Sequence, residues 1–167
     1  NEEYLCGLTH IELKKKFKNI FTIIIPRHVE RTQSIKTELL KLNLNVHTHE
    51  TKAKPNKDTE IYIIDSYGKT KSIYKYCKNI FLGGSLIKHG GQNPLEATRY
   101  GCKILHGPHV ENFKEIYDYL EKLKLSSKVN HHLQLSIKLN RLLSQKNNSK
   151  KIQNKLNKIG DKILNDT

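Results

Sequence analysis

The chain has 167 residues and carries 30 Lys and Arg against 16 Asp and Glu, a formal net charge of +14. That length holds one ordinary domain with its own core but not two large ones. No apolar run reaches the roughly 18 residues of a membrane-spanning helix, and the first residues do not read as a signal peptide, so the chain reads as a soluble domain.

The cysteines Cys6, Cys77 and Cys102 stand far apart with no CxxC pair. They read as free thiols of a reducing, cytosolic compartment rather than a disulfide frame or zinc knuckle. A pI near 9.7 favours an acidic partner: nucleic acid, an anionic membrane face or a phosphorylated ligand. The excess is concentrated, since Glu121 to Thr167 holds eleven Lys and Arg against three acids, or +8. Solvated helix faces in a Lys- and Asn-rich composition explain such an excess equally well.

In chain order, Asn19 to Ile25 (NIFTIII) is a continuous β-branched run of the kind a buried parallel strand shows. After Pro26, the apolar positions Ile35, Leu39, Leu40 and Leu42 mark a helix face over Glu30 to Leu42. Leu44 to His49 alternates as a short strand, Thr51 to Thr59 with Pro55 is a loop, and Glu60 to Asp65 is a strand. Lys71 to Cys77 is helical, Ile80 to Leu82 a strand, Pro94 to Tyr100 a helix, Lys103 to Leu105 a strand and Asn112 to Leu123 a helix. This β-α-β-α rhythm predicts a Rossmann-like α/β fold, a mostly parallel sheet with flanking helices. From residue 126 the texture changes to two Lys-rich helical patterns, about 128 to 145 and 150 to 165, read as an appended basic tail over 126–167.

In such sheets ligands lie beyond the carboxyl ends of the strands. The candidate positions are Pro26-Arg27-His28, Asp65-Ser66-Tyr67-Gly68, Gly83-Gly84-Ser85 and His106-Gly107-Pro108, expected to converge on one cleft edge. The stretch GGSLIKHGGQNPLE (Gly83 to Glu96) keeps four glycines, which implies unusual dihedrals or close backbone approach. Asn93 suits the N-cap, Pro94 the first helical position and Glu96 the third, where it reaches back as in a capping box. Capping alone accounts for these residues. A helix start behind glycines also receives anions, and a carboxylate there conflicts with an anion unless it faces a sugar diol. The combination reads as a nucleotide, with phosphate on the glycine loop and ribose on Glu96. It is neither a P-loop nor GxGxxG. Arg27 offers a bidentate anion contact, although a surface arginine after a strand is the plain alternative.

Pro26-Arg27-His28 with Glu30-Arg31, Asp65-Ser66-Tyr67-Gly68, and GGSLIKHGGQNPLEATRYGCKILHGPHVENFKEIY (Gly83 to Tyr117) closely resemble the C-terminal half of the 3-deoxy-D-manno-octulosonic acid (Kdo) transferases. The resemblance runs from about Phe17 to Leu123. It implies the C-terminal half of a GT-B fold, with residues 1–125 as a CMP-Kdo-binding domain. It implies transfer of Kdo from CMP-Kdo to a lipid A precursor (lipid IVA) in lipopolysaccharide synthesis, without a metal or other cofactor. CMP and donor contacts then fall on Pro26, Arg27, Tyr67, Gly68, Lys69, Gly84, Ser85, Gly91, Asn93, Pro94, Leu95 and Glu96. Lys69 departs from the acidic residue usual after the glycine of its turn, so backbone contacts are what that turn retains.

The resemblance also implies an N-terminal domain, absent from this chain along with the first strand of its own half. That domain is expected to hold the membrane anchor, the acceptor groove and the general base, so no catalytic residue is assigned here. The partners implied are CMP-Kdo, that N-terminal domain, the lipid A precursor and an anionic membrane, at the cytoplasmic face of the bacterial inner membrane. The Lys146 to Lys162 segment is expected to face the lipid. Two other classes stay open. One is a GT-B transferase using a UDP-sugar, disfavoured because no Asp-x-Asp is present to seat a divalent ion. The other is a basic nucleic-acid module, for which the sequence lacks both interleaved stacking aromatics and a recognised motif, so nucleic acid is not expected as a partner. His47-x-His49 lacks a third ligand, and His106 and His109 are expected to line the cleft.

Overall fold

The computed structural model describes residues 1–49 and 54–145. It opens on a helix that the sequence pattern did not mark, α1 (Glu2–Lys14). The Asn1 side chain accepts the Tyr4 N–H at 2.9 Å, Glu2 and Glu3 occupy the first turn, and Lys14 the last, which suits the helix dipole. Its buried face includes Glu2, Gly7, Thr9 and His10 beside Leu13, so hydrophobic periodicity is almost silent there.

Three strands, β1 (Thr22–Ile24), β2 (Val46–Thr48) and β3 (Ile61–Ile63), form a sheet in the order β1-β3-β2. All pairs are parallel, with Thr22 and Val46 both opposite Ile61. Helix α2 (Thr32–Leu40) follows a 3-10 turn at Val29–Arg31 and lays Ile35 and Leu39 on the sheet. Ile24, Leu44, Ile61 and Ile63 complete that core, with Cys6 and Ile11 of α1 against it.

The second sheet is built from β4 (Asn79–Leu82), β5 (Lys103–His106) and β6 (Ser126–Lys128), in that order and again parallel. Around it run α3 (Thr70–Tyr76), α4 (Leu95–Arg99) and α5 (Lys114–Lys122), the last led by a 3-10 turn at Glu111–Phe113. Its core joins Leu82, Ala97, Cys102, Ile104, Val110, Tyr117, Leu120 and Leu125. Parallel strands connected through helices give the Rossmann-like α/β architecture that the alternation predicted. The six strands fall into two three-stranded sheets.

The described residues group into two units, Asn1–Thr70 with His131–Asn140, and Lys71–Asn130 with the residues from Arg141. The sequence-based boundary after Leu125 falls just before β6, whose Ser126-Ser127-Lys128 carries no apolar signal yet pairs with Ile104, Leu105 and His106. The first helix expected in the tail is therefore shorter, α6 (His132–Leu143), with Leu135 buried. Its His132 carbonyl lies 3.4 Å from the Thr9 hydroxyl, and Lys16 donates to Asn140 Oδ1 at 2.9 Å. The expected second tail helix and the Lys146 to Lys162 face lie outside the described residues. No helix among the described residues is long and apolar enough to cross a membrane.

Candidate functional site: the glycine loop and the strand-end turns

β4 runs directly into Gly83. Gly84, Gly90 and Gly91 have φ of +67°, +76° and +78°, a region that side chains with a Cβ resist. The Gly91 N–H donates to the Gly84 carbonyl at 2.8 Å and closes the loop on itself. Ser85 is fully buried. Its hydroxyl donates to the Leu82 carbonyl at 2.6 Å and accepts the Gly107 N–H at 2.8 Å, and its carbonyl accepts the His109 N–H at 2.9 Å. Ser85 thus braces the loop from inside and does not present its hydroxyl at the surface. A Cβ on Gly107 would overlap the Ser85 carbonyl group, so that position admits only glycine.

At the other end of the loop, Asn93 Oδ1 accepts the Leu95 N–H at 3.0 Å, and Pro94 is buried with its carbonyl accepting from Thr98. Asn93 does the capping chemistry, but α4 begins one residue later than the spacing predicts, which moves Glu96 to the second helical position. α4 is five residues long, so its dipole is a small term and anion binding rests on local N–H groups. Leu95 is 40 % exposed. Glu96 is partly exposed with Lys71 Nζ 3.8 Å away, a cation the sequence reading did not assign to the site. Burial, and then the Glu96 charge, push the nearby Tyr74 phenol up.

In the first unit, Pro26 is buried two residues after the end of β1 and Arg27 is exposed beside it. Asp65 is buried after β3, while Tyr67 is 71 % exposed. Gly68 (φ +75°) and the exposed Lys69 complete that turn. The Ser66 hydroxyl is buried there without a hydrogen-bond partner among the described residues, a feature sequence spacing does not reveal. These two turns follow adjacent parallel strands, as do Gly83-Gly84-Ser85 and His106-Gly107-Pro108 in the second unit. The four strand-end segments therefore come together as two pairs, one in each unit. A concavity of the first unit, lined by Lys14, Asn19, Asn45, Asn56 and Glu60 among others, lies instead at the amino ends of β1–β3.

Three histidines depart from expectation or resolve it. His106, expected to line a cleft, is 1 % exposed at the end of β5. Its Nδ1 donates to the Gly107 carbonyl at 2.8 Å, which can only accept, and its Nε2 lies 3.0 Å from Glu121 Oε1. Burial holds its pKa below the ordinary value, against the opposing pull of the Gly107 carbonyl and Glu121. His47 stacks on Tyr62 at 5.7 Å, and His49 Nδ1 is 2.7 Å from the Tyr62 hydroxyl, so both rings are engaged with an aromatic partner. Among the described residues, no group of three His, Cys, Asp or Glu side chains is arranged to hold a metal ion.

The chain is 31 % identical over 163 residues to the 3-deoxy-D-manno-octulosonic acid transferase of Haemophilus influenzae, covering 98 % of this chain and 38 % of that protein. It is 27 % identical to the protein of the same name from Aquifex aeolicus, over 81 % of this chain and 37 % of the relative. The chain is a relative of the Kdo transferases. It spans less than two fifths of the length of these two relatives. A crystal structure of the C-terminal CMP-Kdo binding domain of WaaA from Acinetobacter baumannii superposes with a TM-score of 0.74 at 19 % identity, covering 95 % of this chain and 98 % of that one. This likeness carries the fold, the C-terminal Rossmann-like half of the GT-B architecture. No protein-family model matches the chain.

Proposed function

We propose that this chain is the donor-binding part of a Kdo transferase, holding CMP-Kdo at the carboxyl ends of its strands. The observation that carries the reading is the extent of the likeness to a CMP-Kdo binding domain, nearly the whole of both chains, combined with a glycine loop whose φ angles require the residues found there. In this reading Arg27 meets the phosphate or the donor carboxylate. The amides around Gly84 and Gly91 and the turn at Tyr67, Gly68 and Lys69 frame the nucleotide. Pro26, Asn93, Pro94 and Leu95 shape its edges, and Ser85 holds the loop from behind. Glu96 accepts from the ribose hydroxyls. Lys71, 3.8 Å from Glu96, offsets the repulsion between that carboxylate and an anionic ligand. A monophosphate donor needs no diphosphate clamp, consistent with a metal-independent reaction.

Transfer forms a bond from an acceptor hydroxyl to the anomeric carbon of Kdo, breaks the bond to the CMP phosphate, and passes the hydroxyl proton to a base. Glu96 is taken up by ribose and the buried Asp65 closes a strand, so the base is assigned to the part of the relatives beyond the match. The acceptor (a lipid A precursor), the partner domain and an anionic inner-membrane surface are assigned there as well. Positioning and proton transfer together supply many orders of magnitude in rate, so this chain is a binder rather than a catalyst. Calorimetry of the 167-residue chain with CMP, UMP and AMP tests the reading. Preference for CMP is expected; preference for UMP would move the chain to the UDP-sugar transferases. Kdo transfer to a lipid A precursor by this chain alone would place the base within it and overturn the division of labour.

A further inference from the structure

The glycine loop is poorly specified by its own sequence. With three glycines at positive φ, its unliganded chain has many conformations to lose. Its geometry is imposed from behind by the segment that follows β5. The Gly107 and His109 amides bond to Ser85, and the Asn112 amide donates to the Gly90 carbonyl at 3.2 Å. A further staple is a side chain. Tyr117, buried in the middle of α5, donates its hydroxyl to the Gln92 carbonyl at 2.8 Å, one residue before Asn93.

Tyr117 is itself held in place. Its ring lies 4.2 Å from the His106 ring, tilted 45°. His106 is pinned at Nδ1 by the Gly107 carbonyl and faced at Nε2 by Glu121, one helical turn beyond Tyr117 on α5. Burial pushes the Tyr117 phenol well up, so the hydroxyl keeps its proton and remains a donor. A wall of His106, Tyr117 and Glu121 thus connects the end of β5 to the Gln92 peptide of the loop.

We infer that Tyr117, seated on His106, is a positioning residue for the Gly83 to Glu96 loop. Its bond to Gln92 holds the loop in the ligand-ready conformation before any ligand arrives, which lowers the ordering cost of binding. What the loop receives rests on the proposed function; the brace itself does not.

The test is Tyr117→Phe, which keeps the ring on His106 and removes only the hydroxyl. Site-resolved hydrogen exchange should show the Gly91 and His109 amides exchanging about fivefold faster or more, with β4 and β5 amides unchanged, because only a local staple is lost. The CMP dissociation constant should rise about three- to tenfold, the effect of one buried hydrogen bond. A merely structural tyrosine would instead raise exchange uniformly, and that result overturns the inference. So does faster loop exchange with unchanged affinity in a protein that binds CMP. If the wild-type chain binds no nucleotide, the proposed function fails while the exchange comparison still decides the brace. Should Tyr117→Phe not fold, the same comparison on His106→Met decides it, with local acceleration expected and uniform acceleration overturning the inference.

Discussion

The Gly107 amide donates to the Ser85 hydroxyl at 2.8 Å, and the two residues stand so close that a Cβ on Gly107 would overlap the Ser85 carbonyl. The obstacle is backbone, which cannot swing aside as a flexible side chain would. Gly107→Ala should therefore lose about 2 kcal/mol or more of unfolding free energy in urea titration. Ser85→Ala leaves the Gly107 amide and the Leu82 carbonyl without that partner, and should lose about 1–3 kcal/mol. A Gly107→Ala protein with wild-type stability would mean that the two strand ends are not in contact.

Stability should fall between neutral and mildly acidic pH. His10 and His106 are both buried, and in each burial outweighs the neighbouring glutamate (Glu60 or Glu121) and holds the pKa below the ordinary value. A base with a depressed folded pKa takes its proton first in the unfolded chain. The stabilisation is complete above the unfolded pKa of about 6.5 and is lost progressively as pH falls from there through the folded values. Urea midpoints at pH 7.5 and 5.5 should show this decline, and His106→Gln should flatten part of it. An unchanged slope in that variant would remove His106 from the account.

Glu60 contributes in a lower window. Burial alone would raise its pKa, but hydrogen bonds from Lys14 and the Asn45 amide, with the charges of Lys14 and His10, hold it below the usual range. Its contribution is present above the unfolded carboxylate value of about 4.3 and is lost as pH falls through the folded one. Glu60→Gln should blunt the acid limb below about pH 4.5 and, by removing the charge that supports the His10 proton, steepen the histidine window.

Nucleotide affinity should depend on Glu96 and Arg27 separately. Removing a charge-assisted hydrogen bond costs about 1.5–3 kcal/mol, so Glu96→Gln and Arg27→Ala should each weaken CMP about tenfold or more with circular dichroism unchanged. Lys71→Ala should act more mildly, because its contact with Glu96 is 3.8 Å and partly exposed. Wild-type affinity in both main variants would disprove the assigned site.

The Lys146 to Lys162 segment is testable from its sequence alone. Near anionic lipid each cation adds about 1 kcal/mol, so changing its six lysines to glutamine should release the protein from phosphatidylserine-containing vesicles in sedimentation. Unchanged sedimentation would reduce that charge to composition.

The strands β1, β3, β4 and β5 were legible because buried parallel strands are written as short apolar runs between turn residues. The glycine loop was legible for a related reason: positive φ at Gly84, Gly90 and Gly91 is tolerated by few residues other than glycine, so the need shows in the letters. Asn93 was readable as a cap because it acts two residues away, on Leu95. Local chemistry leaves local traces.

What tertiary structure decided lay beyond that range. α1 buries Glu2, Thr9 and His10, and their burial depends on partners such as Thr22, so no hydrophobic period announces the helix. Ser126-Ser127-Lys128 is a strand only because β5 offers it a free edge. Ser85 meets Gly107 across 22 residues, and Tyr117 meets Gln92 across 25. Nothing in either residue's neighbourhood encodes the meeting. The sequence alone determined which peptides could adopt the loop's dihedrals; the packing of α5 against β5 decided which of the permitted conformations is held, because that choice depends on hydrogen bonds formed only once the distant segments are brought together.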